Sequence, residues 1–509
     1  MAVLKAPFNF VPMSEKVVLP EWASLISQDI PFSDAKCGTI SVEVTAITPV
    51  YVRNGHTPVT KEQMPSYKET EEFRSFSKSP DGNYFIPATS IKGELRHVLE
   101  IASFGRLNRI NNKEYKVYKE GDRDVKKKMT QFVHDAHKSQ SGSDMAECIF
   151  GKVSKDLSFK GRVQISHAFC IDAKETENMI SPYMGSPKPT YYPIYLEQKE
   201  RQIIPGELEK DDVFGLVNTY RTYRSYDSKL RGWKMYPARY YWTRDFPPVN
   251  EKQQDNVSPS VPLGKDSRFT FSIHFHNLTT IELGALLYAL NPADSSCHSI
   301  GFAKSFGYGV CKYTVSYDGQ LTNNQAEEAK RKFVDYMNEK LQPEIDFVNS
   351  PQIKEMIMMM DPSLGTEDLL LEYMSLEEYK NVKEHNPSED IYGQYLPAYS
   401  RLVEYSQEQK NRDTADTQEK AVATEVISQE PEGLLAKIKM FDGPIRKAEL
   451  IEGKPKGSLP LLIPDENNQN GRDKIKILKE ILKEKDAGCL VRVQVSNDKK
   501  TLILLSIEK

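Results

Sequence analysis

The sequence predicts an α+β protein built on a ferredoxin-like core, enlarged by insertions and extended at its C-terminus. Three observations predict it. Segments 38–53, 161–171, 267–278 and 310–317 are rich in β-branched and aromatic residues with the alternation of strands. Segments 89–104 and 280–291 read as helices, the first amphipathic and the second mostly apolar. In chain order these give strand, helix, strand, strand, helix, strand, which is the βαββαβ arrangement.

The first 36 residues precede that core. They are rich in proline and aromatics (Phe8, Phe10, Pro12, Pro20, Trp22, Pro31, Phe32) and read as an extended arm packed on a surface, of this chain or of a partner. The core segment, 37–323, opens on GTISVEVTAITPVYVR, where Ile40, Val42 and Val44 share one face and Ser41, Glu43 and Thr45 the other. A polar excursion, 54–83, follows; its Asp81-Gly82 pair signals a hairpin turn. Residues 84–102, YFIPATSIKGELRHVLEIA, then read as a short strand, a turn and a helix. Thr89 or Ser90 is the expected N-cap, and Ile91, Leu95, Val98, Leu99 and Ala102 form the buried face.

Two insertions interrupt the core at 105–144 and 172–265. Within the first, residues 106–128 hold nine Lys or Arg against four acids. Within the second, residues 220–244 hold seven basic residues, one acid and eight aromatics. The core closes on GFAKSFGYGV at 301–310 and the strand CKYTVSY. A helical region is expected over 324–404 and a linker over 405–432, where charge is high and aromatics nearly vanish. Several short strands over 433–509, with one charged helix near 473–485, read as a small β-barrel of the oligonucleotide-binding (OB-like) kind.

Bulk properties bound the function. A chain of 509 residues exceeds one compact core, so two or three domains are expected. The net charge of −4 excludes a globally basic nucleic-acid coat, and any such contact must come from local patches. The six cysteines are scattered without a CxxC pair, which argues against a structural zinc site and a disulfide framework and fits a reducing cytosol. No apolar run is long enough to cross a membrane, and the N-terminus lacks the order of a signal peptide, so a cytoplasmic protein is expected.

Several constellations can carry chemistry, each with a plainer alternative. Hydroxyls and a lysine at a helix start make a phosphate seat, or simply a capped amphipathic helix. The glycine loop lets a backbone approach a phosphate, or is a tight turn. Cations and π-faces over 220–244 suit unpaired nucleotides, or fill a local core. The basic segment 106–128 is an RNA candidate or a solvated insertion. His274 and His276 share a strand face without a third ligand, so a structural role is favoured and no metal is assigned. In the C-terminal module, Lys437, Lys439, Phe441, Arg446 and Lys447 lie along the first strand and following turn, where they suit either nucleic acid or protein docking.

The motifs IPATSIKGELRHVLE, CIFG followed by GRVQISHA, LRGWKMYP and GFAKSFGYGV, in that order and spacing over 38–317, resemble the RAMP superfamily of CRISPR-associated proteins. The resemblance is strongest to the crRNA-binding backbone subunits of type III effector complexes, in a single-chain group. It implies a modified ferredoxin-like, RRM-related core. It also implies crRNA, target RNA and other effector subunits as partners, with a role in antiviral defence. It places Thr89, Ser90, Lys92 and Arg96, and Lys304, Ser305, Gly307, Tyr308 and Gly309, near crRNA phosphates. In the 220–244 stretch the combination of cations with π-faces makes Arg231, Trp233, Lys234 and Arg239 the candidate RNA contacts. The 54–83 excursion takes the place of the family's thumb, which in target-cleaving members carries an aspartate for metal-assisted cleavage. Here the sole aspartate is Asp81, in the turn, and the remaining candidates are His56, Glu71 and Glu72, with Glu62 and Glu69 nearby. A Mg cofactor is expected only if the thumb cuts. The enzyme alternative is an endoribonuclease cleaving target or precursor RNA, for which His97 offers an imidazole on the helix. A third reading is an accessory subunit that docks proteins.

Overall fold

A computed structural model describes residues 4–54, 59–107, 110, 113–139, 141–154, 158–184, 189–198, 223–224, 227–246, 256–317, 321–375, 377–378, 395–412, 434–442, 445–451, 457–464, 472, 474–476, 478, 490–495 and 501–507. The chain divides into two compact units, Met1–Gln407 and Glu408–Lys509.

The first unit is organised on an antiparallel sheet. Its main strands are β1 (Lys36–Ala46), β2 (Val163–Ile165), β3 (Ala168–Asp172), β4 (Arg268–Leu278) and β5 (Val310–Tyr317), with helices α1 (Ala88–Ala102) and α2 (Thr280–Leu290). Across the sheet the order is β5, β1, β4, β3, with His298–Ser299 on the β5 edge and Phe85–Ile86 on the β3 edge. The alternation read in β1 holds: Ile40, Val42, Val44 and Ala46 are buried, and Ser41, Glu43 and Thr45 are not. Register brings Val42 between Phe271 and Val315, and Val44 between Phe269 and Tyr313, so apolar partners stack across three strands. The strand expected over 161–171 is broken. β2 and β3 both pair with β4, and at the break Ser166 Oγ accepts the Ser272 N–H at 2.9 Å in place of a ladder carbonyl.

Helices α1 and α2 join the buried row of this sheet in one core. Helix α1 buries Ile91, Leu95, Val98, Leu99 and Ala102, the stripe its spacing predicts. It begins at Ala88 after Pro87, and neither Thr89 nor Ser90 caps it; Ala88 N–H instead donates to His167 Nδ1 at 3.1 Å. Helix α2 is apolar all round because it is buried all round: α3 (Asn323–Leu341) packs on its other side. Gly284 permits this approach, since a Cβ there would stand 2.0 Å from the Ala329 carbonyl oxygen. Helix α4 (Pro351–Met360), N-capped by Ser350, follows, and residues 399–412 are helical, extending into the stretch read as linker. A fully buried pair, Arg162 with Glu282, ties β2 to the capping box of α2, and Trp22 Nε1 donates to the same carboxylate at 3.0 Å.

The N-terminal arm packs on its own chain. Asn9–Pro12 pairs antiparallel with Gly232–Met235, and Leu4, Phe8 and Phe10 are buried with Ile194 and Leu396. The 54–83 excursion contains two short helices, Met64–Tyr67 and Glu71–Arg74, pinned by the buried Phe73 and by Tyr51 Oη donating to the Phe73 and Ser75 carbonyls. The basic stretch after Arg106 forms a hairpin, Glu114–Glu120 with Arg123–Lys128, while Arg106 itself is buried against the Ser141 and Gly142 carbonyls.

In the second unit, strands β6 (Leu434–Asp442), β7 (Ile445–Leu450), β8 (Ser458–Leu462), β9 (Leu490–Val495) and β10 (Leu502–Ile507) close a barrel in the order β6, β7, β8, β10, β9. β8 and β10 run parallel and the other neighbours antiparallel. Its core includes Ala436, Ile438, Ala448, Val491, Val493 and Leu504. Arg446 and Lys447, expected in a turn, lie on a strand of their own, opposite Phe441 and Met440. The spacing of IRKAEL is too short and too charged to have marked it.

Candidate nucleic-acid interface

A cleft of about 660 Å³ opens where α1, the β5 edge and the Gly232–Met235 strand meet. From α1 it takes Thr89, Ser90, Gly93, Glu94 and His97. These recur every three or four residues on the helix, on a stripe adjoining the buried one. From the arm-paired strand comes Lys234, and from the glycine loop Lys304 and Gly301. Arg53, Tyr236, Cys297, His298 and Ser299 also line it. Three segments that the sequence marked separately, at 89–90, 234 and 304, thus share one cavity.

Its electrostatics follow from burial. The Lys234 ammonium has no ion-pair partner among the described residues and sits 3.7 Å from the Phe8 ring centroid and 5.3 Å from that of Tyr236. Burial depresses it to about 8. Lys304 is also lowered, by burial first, with Glu94 acting against the shift. The Arg53 guanidinium lies 4.3 Å from the Phe73 ring and 5.5 Å from that of Phe302. His298 is enclosed: Nδ1 meets Glu94 Oε1 at 2.7 Å, Nε2 meets the Leu290 carbonyl at 2.8 Å, and the ring stacks on Tyr313 at 4.1 Å. The Leu290 carbonyl only accepts, so Nε2 donates to it, and the Glu94 carboxyl group beside Nδ1 favours a proton there as well, which is the imidazolium form. Burial opposes that charge, but Glu94 and the Leu290 carbonyl outweigh it and raise the pKa.

Other expected residues have structural partners. Lys92 Nζ donates to the Phe150 carbonyl at 3.1 Å, and Arg96 to Glu100 and to the Gly151 carbonyl at 2.8 and 3.1 Å, so both brace α1 against residues 150–151. Trp233 is 1% exposed and packs in the core, where no base can stack on it. Arg231 is bound to the Leu396 carbonyl beside the Phe10 ring. Arg239, also buried, donates to the Ser305 and Leu371 carbonyls at 2.9 and 2.7 Å and so holds the glycine loop from beneath. Ser305 and Tyr308 are buried, and Tyr308 Oη donates to the Thr243 carbonyl at 2.9 Å. Gly307 and Gly309 have φ of +84° and +78°. A Cβ on Gly309 would lie 1.9 Å from the Ile300 carbonyl oxygen. The glycines serve close packing of the loop on its own chain, and Lys304 is the loop's polar group in the cleft.

Among the described residues the candidate catalytic side chains form no cluster of three. Asp81 is exposed in its turn and accepts from Asn83 Nδ2 at 2.7 Å, and its hydrogen bonds, that with Ser79 first, hold its carboxyl below the usual range. Glu71 and Glu72 are exposed in the first turn of a short helix. His56 lies outside the described residues. Among the described residues no group of three or more His, Cys, Asp or Glu is placed to hold a metal ion. No described helix is long and apolar enough to cross a membrane.

A family model, the RAMP superfamily, matches residues 43–312, from the middle of β1 into β5, which is more than half of the chain. This chain belongs to the RAMP superfamily. The matched span contains every cleft residue named above. RAMP membership gives the chain a CRISPR-related RNA-binding role. No curated protein matches the chain.

Sequence reasoning singled out Thr89, Ser90, Lys234 and Lys304, and considered His97. It missed Arg53, Glu94, His298 and Ser299. For Glu94 a signal existed, because Ser90, Glu94 and His97 share a helical stripe. For His298 none did, since nothing local tells that CHSIG will meet α1.

Proposed function

We propose that this RAMP protein is a crRNA-binding subunit of a type III effector complex, holding the guide and the guide–target duplex, and that the cleft seats its ribose-phosphate backbone. The observation that carries this is the convergence of Thr89, Ser90, Lys234 and Lys304, with Arg53, on one cavity. Hydroxyls and ammonium groups bind phosphate oxygens without reading bases, as a guide of any sequence requires. The sheet order β5, β1, β4, β3, with both connecting helices in its core, supports the modified ferredoxin-like, RRM-related reading of residues 37–323. The barrel order, with its parallel β8–β10 pair, supports an OB-like module, a fold suited to oligonucleotides. The other effector subunits are its protein partners.

The test is RNA retention. Full-length protein co-expressed with a guide array is purified and its bound RNA quantified. The wild type is expected to retain RNA, and Lys304→Glu with Lys234→Glu to lose at least about ten-fold, since each replaces an attraction by a repulsion. Unchanged retention in the double variant would remove the cleft as the seat.

A further inference from the structure

Glu94 stands out in the cleft. It is the one carboxylate among the described residues lining a cleft that also holds Arg53, Lys234, Lys304 and His298. One of its oxygens, Oε1, accepts from His298 Nδ1 at 2.7 Å. The other, Oε2, is buried and has no hydrogen-bond partner. A buried acceptor left without a donor carries a full desolvation penalty, and a ligand that brings a donor relieves it. The pairing with His298, itself fixed by the Leu290 carbonyl and by stacking on Tyr313, holds the carboxylate in place while the second oxygen waits.

The chemistry of the missing donor is narrow. A phosphate oxygen only accepts hydrogen bonds and is repelled by a carboxylate. A strand whose phosphates are held by Thr89, Ser90 and the two lysines must present something else to Glu94. On a nucleic-acid backbone one group donates, the ribose 2′-hydroxyl, and DNA lacks it. We propose that Glu94 Oε2 accepts a hydrogen bond from a ribose 2′-hydroxyl, so that the cleft selects RNA over DNA independently of sequence.

This rests on the cleft being the RNA seat, and the experiment separates the two. Binding of the full-length protein to an oligouridine is compared by fluorescence anisotropy with binding to the same strand carrying 2′-fluorine, which keeps the sugar pucker and removes the donor. The wild type is expected to favour the hydroxyl strand by about ten-fold, the effect of one hydrogen bond to a charged acceptor. Glu94→Gln keeps an acceptor for His298 and turns an amide N–H toward the cleft, so the ratio is expected to fall to within about two-fold. Equal wild-type affinity for both strands overturns the proposal and leaves the RNA seat standing; that is also the result if a base edge is what meets Glu94. A full ratio retained in Glu94→Gln overturns the proposal as well. No binding of either strand overturns the seat and, with it, this assignment. The wild-type comparison needs no variant to fold.

Discussion

Replacing Lys234 by methionine is expected to stabilise the protein while weakening its hold on RNA. Burial brings this ammonium from 10.5 to about 8. At about 1.36 kcal/mol per tenfold in proton affinity, the charged form at neutral pH carries a penalty of roughly 3 kcal/mol. The Phe8 ring, 3.7 Å from the ammonium, returns about 1–2 kcal/mol of that through cation–π attraction. The net cost is about 1–2 kcal/mol, which Lys234→Met removes, because methionine keeps the length of the side chain and its packing. The sign with pH is fixed. Between about 8 and 10.5 the unfolded chain binds more protons at this position than the folded one, so wild-type stability rises with pH across that window. The advantage of the variant is therefore present at pH 7 and gone near pH 10.5. Urea unfolding followed by tryptophan fluorescence reads this directly, since Trp22, Trp233 and Trp242 all lie in the first compact unit. A variant less stable than wild type at pH 7, or equally favoured at both pH values, would refute the argument.

Three further outcomes are expected. Gly284→Ala forces a Cβ to within 2.0 Å of the Ala329 carbonyl oxygen, and the overpacking between α2 and α3 should cost about 1–3 kcal/mol, seen as a lower thermal midpoint. Arg162→Met leaves Glu282 as an uncompensated buried charge, and denaturant titration should show a loss of about 3–5 kcal/mol. His298→Ala removes the partner of Glu94. Because the folded imidazole has its pKa raised above 6.5, the stabilisation is complete below 6.5 and fades as pH rises through the folded value. The wild type should exceed the variant by more at pH 6 than at pH 9, and a difference independent of pH would contradict the imidazolium.

How much of this could be read from the sequence depended on how far each signal reached. The order of strands and helices in the core was legible because alternation and helical spacing are local: the buried faces of β1, β4 and α1 are the ones their patterns mark. The break between β2 and β3 was not, because it depends on which atom satisfies Ser272. Lys92 and Arg96 show the same limit. Their spacing places them on one helix face, but not what lies opposite, and carbonyls at 150–151 turn out to lie there. In the 220–244 stretch, composition could not tell Trp233, facing the core, from Lys234, facing the cleft. That difference is one residue of strand phase, set by pairing with the N-terminal arm.

The pairing of Asn9–Pro12 with Gly232–Met235 has a consequence for the order of assembly. The arm is synthesised before its partner strand and waits more than two hundred residues for it. Met359 and Met360, which also line the cleft, come later still. The cavity therefore cannot exist on a growing chain until the core sheet, the insertions and α4 have all emerged. Loop closure over such separations is slow relative to local helix formation. The sheet and its two helices can form early, whereas the competence to hold a ligand is acquired among the last steps of folding.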